Sequence, residues 1–486
     1  MKKAFSYAIL LLATLLFAGC EEWLDVRLKS KVKSDDLLSS EQGFEDALVG
    51  VYSKLIGEEL YGRQLTYGFF ETLVGNYDLS ASNNTVYADV AKGSLSATNV
   101  RSVTDGFWNG LYNAIANLNN ILDQIDGHRN LFTGNRYAII KGEALGLRAF
   151  LHLELFKIFG DFSDLDAAAI PYVATLTKNP VPDSSGREVI ARAIEELEQA
   201  EALLRDADPV CQGTFSVEGD IFLGDRHLRM NYYAVRALQA RALLWSGDKQ
   251  KAYTAATQLI ADCSESFPWI ASEKLSGTDE RQCDYSFSTE HLFALNVFNL
   301  ENLYEKWLAK EAADVQILSK GSYFFEQWYE AGNVGATDYR KLYITEKAMI
   351  GYSENYIVKR FYQPEGYNSD YAARIPLFRL SELYYIAAEC KVGTDNGEAC
   401  SLLNTVRQHR GITVDLDAGS LDDAGVMSAV RHEYLKEFWG EGHFFFLCKR
   451  HAWKPDGVMQ RYFPNNWDFV KAFTIERPDL ETEYNQ

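Results

Sequence analysis

Apolar residues recur at helical spacing through much of the chain. Between Gly142 and Gly160, Leu147, Leu151, Leu155 and Ile158 follow one another at steps of four, four and three, which keeps them on one helix face. Between Met230 and Trp245, Tyr233, Ala237, Ala240 and Leu244 share that spacing. Gly247 suits a helix C-terminus, and Asp248 suits the N-cap of a second helix carrying Ala252, Ala255, Ala256, Leu259 and Ile260. The same layout returns later. Leu383, Ala387 and Cys390 mark one helix, Gly393 and Gly397 a turn, and Ala399, Leu402, Leu403 and Val406 the next helix. Trp108, Tyr112, Ile115 and Leu118 to Leu122 begin a further helix. From Ile190 to Leu204, Ile190, Ile194, Leu197 and Leu204 face inward and Glu195, Glu196 and Glu198 outward. The pattern predicts an all-α fold of roughly eight helices paired as hairpins, enough for a solenoid-like core.

Alanine on the paired faces lets helix axes approach closely. Hairpins of this kind resemble tetratricopeptide repeats, here separated by long insertions. Residues 265–375 contain 21 Phe, Tyr and Trp and lack a sustained helical period. This stretch includes Trp269, Tyr285, Tyr304, Trp307, Trp328, Tyr329, Tyr356 and Tyr362. A second irregular stretch, Tyr61 to Val103, sets Tyr67, Phe69, Phe70, Tyr77 and Tyr87 among Asn76, Asn83 and Asn84. Irregular segments on a rigid scaffold are where binding residues concentrate. An aromatic ring offers a flat apolar face to the C–H side of a sugar, and an amide takes its hydroxyls. Most of these rings belong to the core, Phe324 and Phe325 among them. Tyr77, Tyr87, Trp307 and Trp328, beside polar or Gly-containing stretches, are the candidate exposed platforms. Asn83 and Asn84 are the candidate hydroxyl partners.

Charge narrows the partners. Asp and Glu number 68 against 48 Lys and Arg, for a net charge of -20. Nucleic-acid binding draws on Lys and Arg at phosphates, so no nucleic-acid partner is expected, nor adsorption to an anionic membrane. The N-terminus reads as an address. Lys2 and Lys3 precede an apolar run from Ala4 to Ala18, shorter than the ~20 residues of a spanning helix, as in a secretory signal. Phe17-Ala18-Gly19-Cys20, followed by Glu21-Glu22, resembles a bacterial lipobox with Cys20 as the lipidated residue. Phe17 stands where Leu is usual. The membrane contact expected is this anchor alone. The six other cysteines, Cys211, Cys263, Cys283, Cys390, Cys400 and Cys448, form no C-x-x-C pair. An exported chain can oxidise them, but a domain this large needs no staples. Mostly buried free thiols are expected, with one bridge left open.

Catalytic motifs are weak. His432-Glu433 begins like a zinc-protease motif, but Lys436 occupies the second His position, so a helix-surface pair is expected. His152 and Glu154, two apart on a helix, should point to different faces. His443, next to Phe444, Phe445 and Phe446, reads as a packed core histidine. Asp415, Asp417 and Gly419 start like a calcium loop, but Ser420 and Val426 stand where glycine and the final Glu belong. No nucleophile elbow or phosphate loop is present. Among 68 acids, a hydrolytic carboxylate pair is a question of spacing that sequence does not answer.

Four segments in order resemble the SusD/RagB family of outer-membrane nutrient-binding lipoproteins. They are Gly142-Glu143-Ala144 through Arg148 to Gly160-Asp161; Asn231-Tyr232-Tyr233-Ala234 through Ala240-Arg241-Ala242 to Gly247-Asp248; Ile375-Pro376-Leu377-Phe378-Arg379 through Glu382, Glu389 and Leu403-Asn404 to Arg407; and Arg431-His432-Glu433-Tyr434 through Glu437, Trp439-Gly440-Glu441-Gly442-His443 to Lys449-Arg450. His443 stands where the family often has Arg, and Asp161 to Ala169 is longer than the usual turn. The resemblance implies a signal peptide over 1–19 and a SusD-like domain over 20–486. The tetratricopeptide-like scaffold would cover about 30–60, 105–262 and 375–450, with ligand-side insertions at about 61–104 and 265–375. It further implies a cell-surface protein of Bacteroidetes, lipid-anchored in the outer membrane and facing the exterior. Such a protein captures oligosaccharides for a SusC-like TonB-dependent transporter, without cofactor or catalysis. The competing readings are a non-binding adaptor or lid of the transporter, a binder of another nutrient such as peptide, and a hydrolase.

Overall fold

The computed structural model describes residues 36–79, 85–312, 317–452 and 473–484. Cys20, Asn83 and Asn84 and the predicted signal peptide lie outside the described residues.

Helices dominate. After α1 (Glu41–Leu55) come α2 (Phe69–Leu73), α3 (Thr85–Ala91), α4 (Thr98–Ile125) and α5 (Arg136–Phe159). A short ribbon, β1 (Ala168–Pro171) with β2 (Asp183–Ser185), leads into α6 (Gly186–Leu204). Ser185 and Glu188 close a capping box at its start. The hairpin α7 (Tyr232–Trp245) and α8 (Lys249–Cys263) follows. Its turn has Gly247 at φ 83°, and Asp248 accepts from the Lys251 N–H at 3.0 Å. The chain then leaves the helices and returns for α12 (Leu380–Lys391), α13 (Asn396–His409) and α14 (Asp423–Phe438), with α15 (Phe444–Arg450) and α16 (Asp479–Tyr484) behind. Between α8 and α12 lie β3 (His291–Asn296), α9 (Leu300–Trp307), β4 (Ser319–Gly321), α10 (Ser322–Trp328), α11 (Tyr339–Leu342), β5 (Thr345–Ile350), β6 (Ser353–Val358) and β7 (Arg374–Arg379). Strands β3 and β7 pair antiparallel, and β6 pairs antiparallel with both β4 and β5.

In space the helices form one row: α4, α5, α6, α7, α8, α12, α13, α14, each packed on the next. The insertion interrupts the sequence of repeats but not their stacking, since α8 packs on α12. Central α5 is enclosed on nearly every side, so that even its charged residues Glu143, Arg148, Glu154 and Lys157 are buried. Gly142 is needed there, because a Cβ would sit 2.7 Å from Leu204 of α6. His152 and Glu154 are therefore both buried, although they leave the helix in different directions. His152 stacks on Tyr172 at 3.8 Å, accepts from the Val173 N–H at 3.0 Å, and is pushed down to about 3 by burial, so it stays neutral.

The lobe and the scaffold are joined by a buried network of charge. Arg410, at the end of α13, reaches Glu290 at 2.6 Å and Glu437 at 2.7 Å. Arg379, at the end of β7, reaches Glu437 at 2.5 Å and Glu441 at 2.8 Å, and Arg360 lies 3.1 Å from Glu441. Glu433 gathers Arg340 at 2.7 Å, Arg407 at 2.6 Å and Lys436 at 3.0 Å. Arg340 also holds Asp338, and Lys436 holds Glu330, each at 2.7 Å. The six cations thus face six carboxylates. Burial alone would raise the Glu437 carboxyl, but Arg410 and Arg379 outweigh it and hold the group well below 4.5. Glu433 of the His432-Glu433 pair is correspondingly interior, correcting the surface placement, while His432 is exposed. Smaller buried sets tie neighbouring helices: Arg226 with Glu143 and Asp208, and Arg241 with Glu382 at 2.7 Å. Lys449 donates to the Lys157 and Ile158 carbonyls at 2.8 and 3.1 Å, placing an amine, pushed down to about 7 by burial, at the C-terminus of α5. The six cysteines are free thiols, five of them buried. No described helix is long and apolar enough to cross a membrane.

Two outcomes follow from these interiors. Arg410→Met leaves the buried Glu290 with Arg379 at 3.9 Å as its remaining cation and removes one of the cations on Glu437, and should cost about 3–5 kcal/mol, read as a lowered urea midpoint at neutral pH. Glu71 on α2 is buried, accepts from the Asn76 amide and the Gly442 N–H at 2.8 Å each, and is pushed up from 4.5 to about 7 by burial. A raised carboxylate favours the fold fully below pH 4.5 and loses that contribution as pH rises through 7. Between pH 5 and 8 the wild type should lose up to about 3 kcal/mol relative to Glu71→Gln, which cannot titrate. Paired denaturation curves at the two pH values measure the difference.

Candidate functional site

The four rings expected as open platforms are interior. Tyr77, Tyr87, Trp307 and Trp328 are between 1% and 6% exposed. Tyr87 meets Trp307 edge-on at 5.7 Å, and Arg63 lies over Trp307 at 4.4 Å while donating to the Tyr87 hydroxyl at 2.9 Å. Tyr77 sits 6.2 Å from Trp439. Trp328 packs beside Phe325, with the Lys320 ammonium 5.0 Å from its ring. The reason is a short helical period within the stretch read as irregular. Leu300, Leu303, Tyr304 and Trp307 form the buried face of α9, and Phe325 and Trp328 that of α10. Polar neighbours in sequence are the outward faces of those helices. Of the two rings assigned to the core, Phe325 is fully buried and Phe324 partly.

Other rings of the same insertion are open. Tyr323 is 63% exposed and Tyr352 fully exposed, and the Met349 thioether beside them in the fold is 67% exposed. They collect at one end of the β4-β6-β5 sheet. Gly321, which ends β4, pairs with Asn355 near the start of β6, and Ile350, which ends β5, faces Ser353. Alternation along β5 puts Lys347 and Met349 on one face, opposite Tyr356 and Glu354. Helix α10 lies over that face. Phe325 stacks on Tyr356 at 4.0 Å and 20°, and the Tyr356 hydroxyl donates to Glu326 at 3.0 Å. Lys347 bridges Glu326 at 3.1 Å and Glu354 at 3.0 Å, and these bonds raise its pKa. Tyr323 stands one turn before Glu326, toward Met349 and the Gly351-Tyr352 turn. Its ring meets Phe324 edge-on at 4.9 Å. The result is an apolar and aromatic tip bordered by Lys347, Glu326 and Glu354.

The first insertion reaches the same end of the sheet. The Asp78 N–H donates to the Ser319 carbonyl at 2.7 Å. Its carboxylate accepts from the Gly321 N–H and from Lys320, each at 2.9 Å. Lys320 also donates to the Gly75 carbonyl at 2.9 Å, and burial pushes it down to about 8. Asp78 thus extends the edge of β4 and pins both insertions together beside Tyr323. Asn83 and Asn84 follow closely in sequence.

A groove of about 570 Å³ runs along α4, lined by Asn109, Asn113 and Asn179 with parts of Trp108 and Tyr112. Trp108 is buried, and the Tyr112 hydroxyl is committed to the Pro171 carbonyl at 2.7 Å, so this groove offers amides beside the aliphatic walls of Pro171, Val173, Pro180 and Val181. The tip offers the open rings. Tyr323 and Tyr352 escaped sequence reading, yet one signal was present: a Gly-containing turn at Gly351-Tyr352 between two six-residue runs.

These placements make opposite demands on stability. Trp307→Ala should cost about 3–5 kcal/mol as a core truncation, whereas Tyr352→Ala should stay within about 0.5 kcal/mol of wild type. Chemical denaturation of the two variants separates them.

Comparison with known proteins places this geometry in context. A family model described as SusD family matches residues 278–484. A second, described as starch-binding associating with outer membrane, matches residues 22–212. A SusD-like protein P25 of Formosa agariphila is 26% identical over 158 residues, which is 29% of this chain and 28% of that protein. The chain thus matches little more than a quarter of that relative's length. A SusD-like carbohydrate binding protein from Bacteroides vulgatus superposes with a TM-score of 0.64 at 21% identity, covering 85% of this chain and 84% of that one. A SusD superfamily protein from Bacteroides fragilis reaches 0.67 at 19% identity, covering 92% and 99%. At these identities the structural likeness concerns the fold.

Proposed function

Because the chain belongs to the SusD/RagB family, we propose that it captures oligosaccharides at the cell surface and passes them to a SusC-like TonB-dependent transporter. Cys20 carries the lipid, residues 20–486 form the mature domain, and the anchored protein faces the exterior. The helical row docks on the transporter, and the lobe between α8 and α12 faces the nutrient. The reading draws its fold and its association with the outer membrane from the family. Its glycan chemistry rests on the exposure of Tyr323 and Tyr352 in a lobe whose other large rings are mostly buried.

Capture is non-covalent. Tyr352 and Tyr323 stack on the C–H faces of successive sugar residues, with Met349 between as a deformable contact. Lys347, Glu326 and Glu354 border the rings and exchange hydrogen bonds with ring hydroxyls. Asn83 and Asn84, just beyond Asp78, serve as further hydroxyl partners. Such a site holds and releases without altering its ligand, as transfer to a transporter requires. No cofactor enters this scheme.

Burial of the four rings first expected to be open favours one alternative, a lid whose lobe binds nothing. Calorimetry of the mature protein against a panel of polysaccharides, peptides and host glycoproteins decides between them. Capture predicts binding of at least one glycan. Tyr323→Ala and Tyr352→Ala should each weaken it about 3- to 10-fold, as loss of a ring contact of about 0.5–1.5 kcal/mol implies. Silence across the panel sinks capture and leaves the lid, binding confined to peptides replaces the sugar, and shortened products from pure protein would show a hydrolase.

A further inference from the structure

The lobe holds a second hollow of different chemistry. A cavity of about 270 Å³ opens between α9 and β5, near the lower end of the ~300–1,000 Å³ common to ligand pockets. Five carboxylates and two ammonium groups line it, leaving a net charge of -3. The ammonium groups are already engaged. Lys359 is held by Glu280, and Lys310 lies 2.6 Å from Glu346 and 3.9 Å from Glu311. Glu301 and Glu305 stand one turn apart on the exposed face of α9, and neither has a salt-bridge partner among the described residues. Like charges at this spacing repel, so the helix bears a small cost that a cation would relieve.

A hydroxyl on a mostly buried side chain opens on the same place. Tyr304, between those glutamates, is 4% exposed. Its hydroxyl, on the cavity wall, has no hydrogen-bond partner among the described residues and is free to meet a ligand. Tyr304 shares the lining of this cavity with Glu346, Tyr362, Glu311 and Glu280, and after burial these four groups raise its pKa. The Tyr362 ring stands 5.4 Å from the Tyr304 ring and is partly open. The carboxylates are spread around the wall, and no cluster of three or more metal-ligating side chains exists among the described residues. An organic cation suits that spread better than a compact ion.

We infer that this cavity takes one amino-sugar residue of a bound oligosaccharide, its ammonium between Glu301 and Glu305. The Tyr304 hydroxyl meets a ring hydroxyl, and Tyr362 meets the C–H face. This specificity pocket is distinct from the Tyr323 and Tyr352 tip, because Glu346 lies on the face of β5 opposite Lys347 and Met349. The inference rests on the reading that the lobe binds saccharides.

The test is calorimetry of the mature chain at pH 6 with the glucosamine disaccharide and its N,N′-diacetyl counterpart. The charged disaccharide should bind about tenfold tighter, a difference of about 1.4 kcal/mol. Glu301→Gln with Glu305→Gln should bring the ratio close to one. Glu195→Gln with Glu198→Gln, on exposed α6, should leave it unchanged, which excludes general attraction to an acidic protein. Tyr323→Ala should weaken both sugars without changing the ratio. Equal affinities, or a preference that survives the Glu301 and Glu305 substitutions, overturn the pocket while leaving saccharide capture intact. Failure of both disaccharides to bind, or binding of the diacetyl form alone, overturns the pocket, and capture is then judged by the wider glycan panel.

Discussion

The fold depends on neutralising charge away from water. Glu437 lies between Arg379 and Arg410, and Glu433 among Arg340, Arg407 and Lys436. Each charge taken singly would cost several kcal/mol to bury, and only closure of the whole set makes the interior tolerable. The members come from distant parts of the chain. Glu290 precedes β3, Glu330, Asp338, Arg340 and Arg360 belong to the lobe, and the rest lie on β7, the final helices and the turns beside them. The network therefore forms only when lobe and scaffold are correctly docked. It also demands particular geometries, such as the left-handed Gly442 (φ 77°), where a Cβ would lie 2.4 Å from the Leu65 carbonyl.

That interior explains what the sequence motifs encode. Most of the charged residues that carried the resemblance, namely Glu143, Arg241, Arg379, Glu382, Glu389, Arg407, Glu433, Glu437, Glu441 and Arg450, are buried or nearly so and paired. They specify a frame and say nothing of the ligand. Sugar contact would instead fall on Tyr323, Met349 and Tyr352, whose exposure owes nothing to those motifs. Frame and recognition are separable in this chain, consistent with a shared fold at 17–22% identity among the solved relatives.

Legibility followed the same division. Hairpins α7/α8 and α12/α13 could be read from apolar spacing and from Gly247 and Gly393, because a repeat declares itself locally. The stacking of α8 on α12 could not, since it joins residues separated by the entire insertion. Burial of Trp307 and Trp328 was missed because α9 and α10 are too short to build a long period, so their polar flanks passed for open surface. Glu433 was misplaced for a related reason: a charged residue reads as exterior until its partners are known, and Arg340 lies far away in sequence. The open tip needed the register of β5 on β6, which sets Met349 and Tyr352 at one end.

The excursion from α8 to α12 departs from and returns to neighbouring helices, with β3 and β7 zipped together at its base. Two adjacent ports therefore delimit a cassette. Loops beyond that zipper can lengthen, shorten or trade side chains while the stack beneath keeps its neighbours, whereas a change in the Glu290 and Arg379 collar propagates into the stack at once. Selection for a new ligand thus has a place to act that leaves the stacked helices untouched.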